Sequence, residues 1–480
     1  MLFNSIDFAI FIPIVFILYW FLTNKSLRLQ NLLIVASSYL FYGWWDWRFL
    51  SLILFSTFVD YFIGRKLGTE ENVLKRKILL WTSIVINLGF LGFFKYYNFF
   101  VDNFITAFSF FGSDIKPNTL NIILPVGISF YTFQTLSYSI DVYRRKLEPT
   151  KDFVIFAAFV SFFPQLVAGP IERATNLLPQ FYKKRHFEYS KAVDGMRQIL
   201  WGLFKKIVIA DNCAQFANQI FDNSGDMNGS TLALGALFFT FQIYGDFSGY
   251  SDIAIGTSRL FGFDLKRNFA FPYFSRDIAE FWRRWHISLS TWFRDYLYIP
   301  LGGSRGGTWM KVRNTFIIFI VSGFWHGANW TFIIWGALNA IYFLPLLLTN
   351  NNRNNIDIVA QGKYLPSLRE LFLMLSTFAL TVFAWIFFRA ENIGHAYSYI
   401  MGMLSPSLFQ IPTILPKVIL SLITIFIIIE WIGRSGEYAI ERIFIKNSKF
   451  VQMTFYYSII LAIYFFGNFN NNIEFIYFQF

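Results

Sequence analysis

The chain has 480 residues, of which 55% are hydrophobic and 15% are charged, and its mean hydropathy is +0.45. Soluble domains carry about a quarter charged residues, so this composition excludes an ordinary soluble protein and favours one membrane domain over residues 1–480. The net charge of +12 comes from Lys and Arg in short loops between apolar segments, a pattern that predicts membrane topology and no nucleic-acid partner.

Apolar segments in chain order predict an all-α, polytopic transmembrane bundle of about 11–13 membrane helices, some of them re-entrant or interfacial. Basic loops at 65–77, 144–151 and 183–185 are predicted to be cytoplasmic, and the uncleaved first span has its N-terminus outside. We divide the domain into N-terminal helices (1–160), a polar-rich core (161–345) and C-terminal helices (346–480). The predicted spans are 8–22, 32–45, 51–63, 78–94, 99–111, 122–140, 153–168, 196–209, 232–244, 316–348, 371–388, 418–432 and 451–466.

Metal chemistry and several common enzyme classes are not indicated by the sequence. The single cysteine, Cys213, cannot form a thiolate cluster or an intrachain disulfide, and the four histidines lack metal-ligand spacing. There is no P-loop, no dinucleotide fingerprint and no GxSxG nucleophile motif. We therefore expect no metal site and no bound cofactor.

The segment 314–352 contains no Asp, Glu, Lys or Arg, yet a histidine, His326, lies in its middle. If the segment is helical, Ser322, His326 and Asn329 share one face, and all three are candidates for contact with substrate. A neutral imidazole accepts a proton near neutral pH, which makes His326 a candidate general base. The alternative is a glycine packing face with a hydrogen-bonded core histidine.

The segment 281–295 carries a second histidine, His286, among aromatic residues that recur at helical spacing. Arg283 and Arg284 lie on the same segment, which therefore reads as an amphipathic helix at an interface. On the residues alone, this pattern favours an interfacial anchor with an incidental histidine slightly over a catalytic role. Two histidines on neighbouring elements could nevertheless converge on one cavity.

Two further segments combine polar and glycine residues. In 244–252, Asp246 and Asp252 interrupt an apolar environment, which predicts that they line an internal cavity or pair with buried Arg. Orientation of a catalytic histidine is the alternative for these carboxylates. Arg305 lies between two glycine pairs that could approach phosphates, although turns alone also explain those glycines.

Four long motifs carry a family resemblance. They are FFPQLVAGPIER (162–173), YGDFSGYSDIAIG (244–256), FWRRWHISLSTWFRDYLYIPLGG (281–303) and GFWHGANWTFIIWG (323–336). They resemble the membrane-bound O-acyltransferase (MBOAT) family and, more narrowly, its branch for alginate O-acetylation. The opening MLFNSIDFAIF and the ending EFIYFQF are similar to that branch too, so the resemblance covers essentially the whole chain.

The resemblance implies a funnel-shaped helical fold around a central tunnel in a bacterial inner membrane, with acetyl-CoA entering from the cytoplasm. It places the family's invariant histidine on His326 and its second characteristic histidine on His286. It also implies an extracytoplasmic polysaccharide acceptor and a partner outside the membrane, commonly an SGNH-type acetyltransferase. Teichoic acid and peptidoglycan remain alternative acceptors.

We therefore predict an O-acetyltransferase in which His326 is the general base and His286 assists by hydrogen bonding or positioning. The phosphates of acetyl-CoA are expected near Arg283, Arg284 and Arg305. A transporter with a proton-relay histidine is the rival reading, and it predicts inverted repeats that the sequence does not display. A non-catalytic scaffold for polymer secretion is a third.

Overall fold

The computed structural model describes residues 1–110, 120, 122–167, 169–445, 447–469 and 475–476. All regular structure within these ranges is helical, which confirms the predicted all-α class. The ends of two predicted spans, at residues 111 and 168, and most of the C-terminal motif lie outside the described residues. Contacts between Cα atoms divide the chain into two compact units, which are described separately below.

The N-terminal unit comprises residues 1–193 and 257–266. Side chains that precede several of its helices cap their free N–H groups, as Ser5 does for α1 and Asn72 for α4. The buried carboxylate of Asp60 on α3 accepts hydrogen bonds from Asn87 of α4 (2.8 Å) and Ser139 of α6 (2.9 Å), and these bonds tie the three helices together. The helices of this unit are α1 (Ile6–Ile17), α2 (Leu27–Asp46), α3 (Leu50–Thr69), α4 (Val73–Leu91), α5 (Tyr97–Phe110), α6 (Ile128–Tyr143), α7 (Phe153–Ser161), α8 (Phe163–Leu166) and α9 (Ala174–Leu177).

The C-terminal unit comprises residues 194–256 and 267–480. Two π-helical segments, Phe204–Ala210 and Arg294–Tyr298, interrupt its helices, and such segments frequently occur at functional sites. The remaining helices are α10 (Tyr189–Leu203), α11 (Asp211–Asp222), α12 (Gly229–Leu260), α13 (Ile278–Arg284), α14 (Ile287–Phe293), α15 (Gly307–His326), α16 (Trp330–Leu348), α17 (Leu368–Arg389), α18 (Ile393–Met403), α19 (Lys417–Gly433) and α20 (Lys449–Phe466).

Five helical stretches among the described residues are long and apolar enough to cross a membrane. Two shorter apolar helices, Ile6–Leu22 and Phe153–Leu166, accompany them. The other predicted spans are at least partly helical, but their helices are short or polar. The span 196–209, for example, forms the end of α10 and a π-helical segment in which Lys205 and Lys206 are buried. The five stretches are Leu27–Thr69, Val73–Ser109, Trp330–Leu348, Leu368–Arg389 and Lys449–Phe466.

The predicted span 316–348 is divided between α15 and α16, which form a helical hairpin. The two backbones approach so closely that a Cβ atom on Gly323 would lie 2.2 Å from the carbonyl oxygen of Phe332, and one on Gly336 would lie 2.3 Å from that of Phe319. Only glycine permits this approach, as small residues do between membrane helices. The hairpin therefore fixes the position of the end of α15, where His326 lies.

Candidate active site

His326 is the last residue of α15 and is 3% exposed. Its imidazole ring packs edge-on against Trp335 of α16 and against Phe388 of α17, each with ring centroids 5.3 Å apart. The neighbouring Trp325 ring lies 5.0 Å away. The most reactive side chain of the uncharged segment is thus held by aromatic rings on three helices.

His286 lies between α13 and α14 and is 1% exposed. Its backbone has φ 42° and ψ 54°, a left-handed conformation that is uncommon for a residue with a side chain and that recurs at functional sites. Its ring packs edge-on against Phe247 of α12 at 4.6 Å between centroids. Burial lowers the pKa of His286 to about 3, so its imidazole stays neutral at physiological pH.

The structure brings the two histidines together. Their ring centroids are 6.3 Å apart, and Trp325 lies beside both rings, 6.0 Å from His286. Within the segment that carries His286, the neighbouring Trp285 and Leu289 are buried with the histidine, whereas Arg283 and Arg294 are exposed. Two imidazoles at this spacing can act on one hydroxyl and one acyl group, because both reach a small substrate placed between them.

An aromatic cluster surrounds this histidine pair. Trp335 and Trp385 stack at 5.5 Å between centroids, and Trp385 also contacts Trp285 at 5.1 Å. The Nε1 of Trp385 is buried and has no hydrogen-bond partner among the described residues. Such a low-dielectric enclosure excludes water and strengthens any polar interaction made with a bound substrate.

A cavity of about 540 Å³ adjoins the cluster within the C-terminal unit. Ser322, one helical turn before His326, lines the cavity, and so does Trp282, whose ring lies 5.7 Å from that of Trp335. The lining combines apolar, polar and cationic side chains, the polar ones including Ser290, Thr315 and Asn352. The other apolar lining residues are Phe293, Ile318, Phe319, Phe343 and Leu347, and the cationic ones are Arg294, Lys311 and Arg353.

Asn329 does not share the face of Ser322 and His326, because α15 ends at His326 and the backbone is extended at Gly327. Its side chain instead caps α16 by accepting a hydrogen bond from the Thr331 N–H at 3.0 Å, and it donates to the carbonyl of Glu391 at 2.7 Å. An Asn just before an apolar helix is a common start signal, so the sequence contained this information.

The three predicted phosphate-binding arginines occupy different environments. Arg283 donates to the backbone carbonyls of Asn352 and Asn355, each at 2.7 Å. Arg284 forms an ion pair with Glu280 at 2.7 Å, and Arg305 is exposed in the loop before α15. None of the three lines the 540 Å³ cavity, whose cationic lining residues were not among the predicted site residues.

Asp246 and Asp252 form buried ion pairs with lysines rather than with the predicted arginines. Lys206 Nζ lies 2.8 Å from Asp246 and 2.7 Å from Asp211, and Lys205 Nζ lies 2.5 Å from Asp252. The sequence did contain a signal for these ion pairs, because Lys205 and Lys206 are consecutive lysines inside the predicted apolar span 196–209.

Asp246 also contacts the C-terminal residues 475–476, which pack close to His286. Its second carboxylate oxygen accepts a hydrogen bond from the backbone N–H of Ile476 at 2.7 Å. The neighbouring Phe475 packs on Tyr250 at 4.3 Å and on Phe247 at 6.1 Å between centroids. Because Phe247 is in turn the edge-on neighbour of His286, these contacts support the position of that imidazole.

Comparison with known proteins gives a consistent result. Residues 146–383 match the model of the membrane-bound O-acyltransferase family. The "probable alginate O-acetylase" of Azotobacter vinelandii is 42% identical over 84% of this chain and 78% of its own length, and that of Pseudomonas aeruginosa is 42% identical over 86% and 76%. The "peptidoglycan O-acetyltransferase" of Helicobacter pylori is 37% identical over 84% and 80%.

Proposed function

Because this multi-pass membrane protein belongs to the membrane-bound O-acyltransferase family, we propose that it transfers acetyl groups from acetyl-CoA for the O-acetylation of an extracytoplasmic, alginate-like polysaccharide. The single observation that carries the chemistry is the pair of buried imidazoles, 6.3 Å apart, in one aromatic enclosure. Peptidoglycan is the second candidate acceptor, since a relative with similar coverage is named a peptidoglycan O-acetyltransferase. The proposed location is a bacterial inner membrane.

In the proposed reaction, His326 removes the proton from an acceptor hydroxyl as its oxygen attacks the acetyl carbonyl carbon of the thioester. The new C–O bond forms, the C–S bond breaks, and the CoA sulfur leaves with the proton that the imidazolium returns. A positioned general base contributes on the order of 10²–10⁴-fold. His286, held neutral by burial, positions the reacting groups by hydrogen bonding and carries no charge.

The hydroxyl that His326 activates belongs either to the polysaccharide or to a serine of an extracytoplasmic SGNH-type partner. Both routes use the same chemistry at His326, so the proposed residue roles hold for each. Incubation of the purified chain with labelled acetyl-CoA, with and without the partner, distinguishes them, because label appears on the partner only in the second route.

The 540 Å³ cavity is the proposed donor site. Its cationic lining residues suit the phosphates of CoA, since cations and phosphate oxygens form charge-assisted hydrogen bonds. The lining includes Ser322, one helical turn before His326, although neither histidine of the pair lines the cavity itself. Lys311 and Arg353 form no ion pair with a described residue, so their charges are available to a ligand. This assignment replaces Arg283 and Arg284 in the donor site, because their guanidinium groups are bonded to protein carbonyls and Glu280.

We expect the variant K311Q/R353Q to raise the KM for acetyl-CoA about tenfold or more while leaving kcat within about twofold, because the lost contacts bind ground state and transition state alike. Steady-state CoA release at varied acetyl-CoA measures both constants. The matched control K363Q/R369Q removes two exposed charges of the same unit outside the cavity. An unchanged KM for acetyl-CoA in K311Q/R353Q would show that the donor does not bind in this cavity.

A further inference from the structure

A second cavity, of about 470 Å³, is lined entirely by residues of the N-terminal unit, and none of them belongs to the candidate active site. Five cationic side chains face it, against two carboxylates, so its lining is strongly basic. The cations are Lys183, Lys184, Arg185, Lys191 and Arg259, and the carboxylates are Glu188 and Asp264.

The two carboxylates are already engaged within the cavity wall. Lys191 Nζ lies 3.3 Å from Glu188 and 4.0 Å from Asp264. Lys183 and Lys184 are exposed and form no ion pair with a residue in the described ranges. Their positive charge is therefore left for a ligand.

Arg185 is a buried cation of this cavity. It is only 6% exposed and has no carboxylate partner among the residues that the structure describes. Its guanidinium donates to Asn31 Oδ1 at 2.7 Å and lies over the rings of Tyr19 and Phe263, at 5.6 and 4.7 Å from their centroids. The buried Nε has no hydrogen-bond partner within the described part of the chain. A buried cation held by neutral groups alone is costly, and a nearby anion offsets that cost.

The apolar surroundings indicate where such an anion would come from. Trp20, in the π-helical end of the first apolar helix, lines the cavity and donates its indole N–H to the carbonyl of Leu260 at 2.9 Å. The next residues, Phe21 and Leu22, are 72% and 68% exposed, and Phe187 at the cavity is 48% exposed. Exposed aromatic and aliphatic side chains beside lysines are typical of the level of lipid headgroups.

We propose that this cavity is a binding site for a phosphate group, supplied either by the headgroup of an anionic phospholipid or by a soluble phosphate compound. Arg185 forms the fixed base of the site, and Lys183 and Lys184 close over the phosphate from the rim. The site is independent of the proposed transfer reaction, so it stands or falls separately from the roles of His326 and His286.

The test measures binding to the purified full chain in detergent by native mass spectrometry. The probes are dioleoylphosphatidylglycerol, dioleoylphosphatidylcholine and inorganic pyrophosphate. The variant K183Q/K184Q removes the two rim charges at exposed positions, where the fold does not depend on them. The control K75Q/K77Q removes the same charge from exposed positions on α4, outside the cavity lining.

We expect the wild-type chain and K75Q/K77Q to bind phosphatidylglycerol in preference to phosphatidylcholine, and K183Q/K184Q to bind it roughly tenfold more weakly. If pyrophosphate fails to displace that lipid, the phosphate belongs to a membrane lipid. If pyrophosphate binds with the same dependence on Lys183 and Lys184 and displaces the lipid, the ligand is a soluble phosphate. Equal binding of the probes by the wild-type chain and K183Q/K184Q would overturn the proposal.

Discussion

The variants H326A and H326Q are expected to lose on the order of 10²–10⁴-fold in the rate of acetyl transfer while the protein remains folded in the membrane. His326 supplies the base in the proposed reaction, and neither replacement can accept a proton near neutral pH. The Gln variant keeps most of the volume that Trp335 and Phe388 enclose, so it separates loss of the base from loss of packing.

The rate is measured as labelled acetyl transferred to acceptor by equal amounts of monodisperse protein. The matched control is H395A, which removes a histidine of the same unit that contacts Ser224 at 3.2 Å, outside the aromatic cluster. Near-normal transfer by H326Q would exclude the general-base role and leave His326 as a packing residue.

The largest effect on stability is expected from K206M. The lysine is buried between Asp211 and Asp246, at 2.7 and 2.8 Å, and its removal leaves two buried carboxylates without their cation. Breaking a buried pair in this way costs about 3–5 kcal/mol. We therefore expect K206M to lower the Tm strongly in detergent, or to fail to accumulate.

The triple variant K206M/D211N/D246N should recover much of that loss, because no uncompensated charge remains. The control K191M breaks a half-exposed pair with Glu188 and should cost less than about 1 kcal/mol. Thermal unfolding followed by size-exclusion chromatography compares all of them. A K206M variant that melts with the wild-type chain would show that the cluster does not support the fold.

The all-helical class could be predicted from the sequence, because apolar periodicity is a local signal. The candidate catalytic histidines could be predicted too, because a histidine in an uncharged run is also a local signal. The predicted convergence of His286 and His326 is observed at 6.3 Å. Their catalytic roles remain predictions.

Long-range pairing could not be predicted in the same way. Lys206 lies 40 residues before Asp246 and Lys205 lies 47 residues before Asp252, and no periodicity in the sequence encodes which buried acid pairs with which buried base. Arg283 likewise looked available for phosphate, yet it holds a loop about 70 residues later in the chain. The cationic lining of the cavity was missed for the same reason, since Lys311 and Arg353 meet only in the folded chain.

The most direct test of the central claim is acceptor-dependent release of CoA from acetyl-CoA by proteoliposomes that contain the wild-type chain, H326A, H286A or the double variant. Two imidazoles that act on one transition state have non-additive effects. We predict rapid release by the wild-type chain with acceptor and extracytoplasmic partner present, a large loss in each single variant, and little further loss in the double. The account is contradicted if H326A releases CoA as fast as the wild-type chain does. It is also contradicted if folded wild-type protein shows no acceptor-dependent release with any hydroxylated polymer tested.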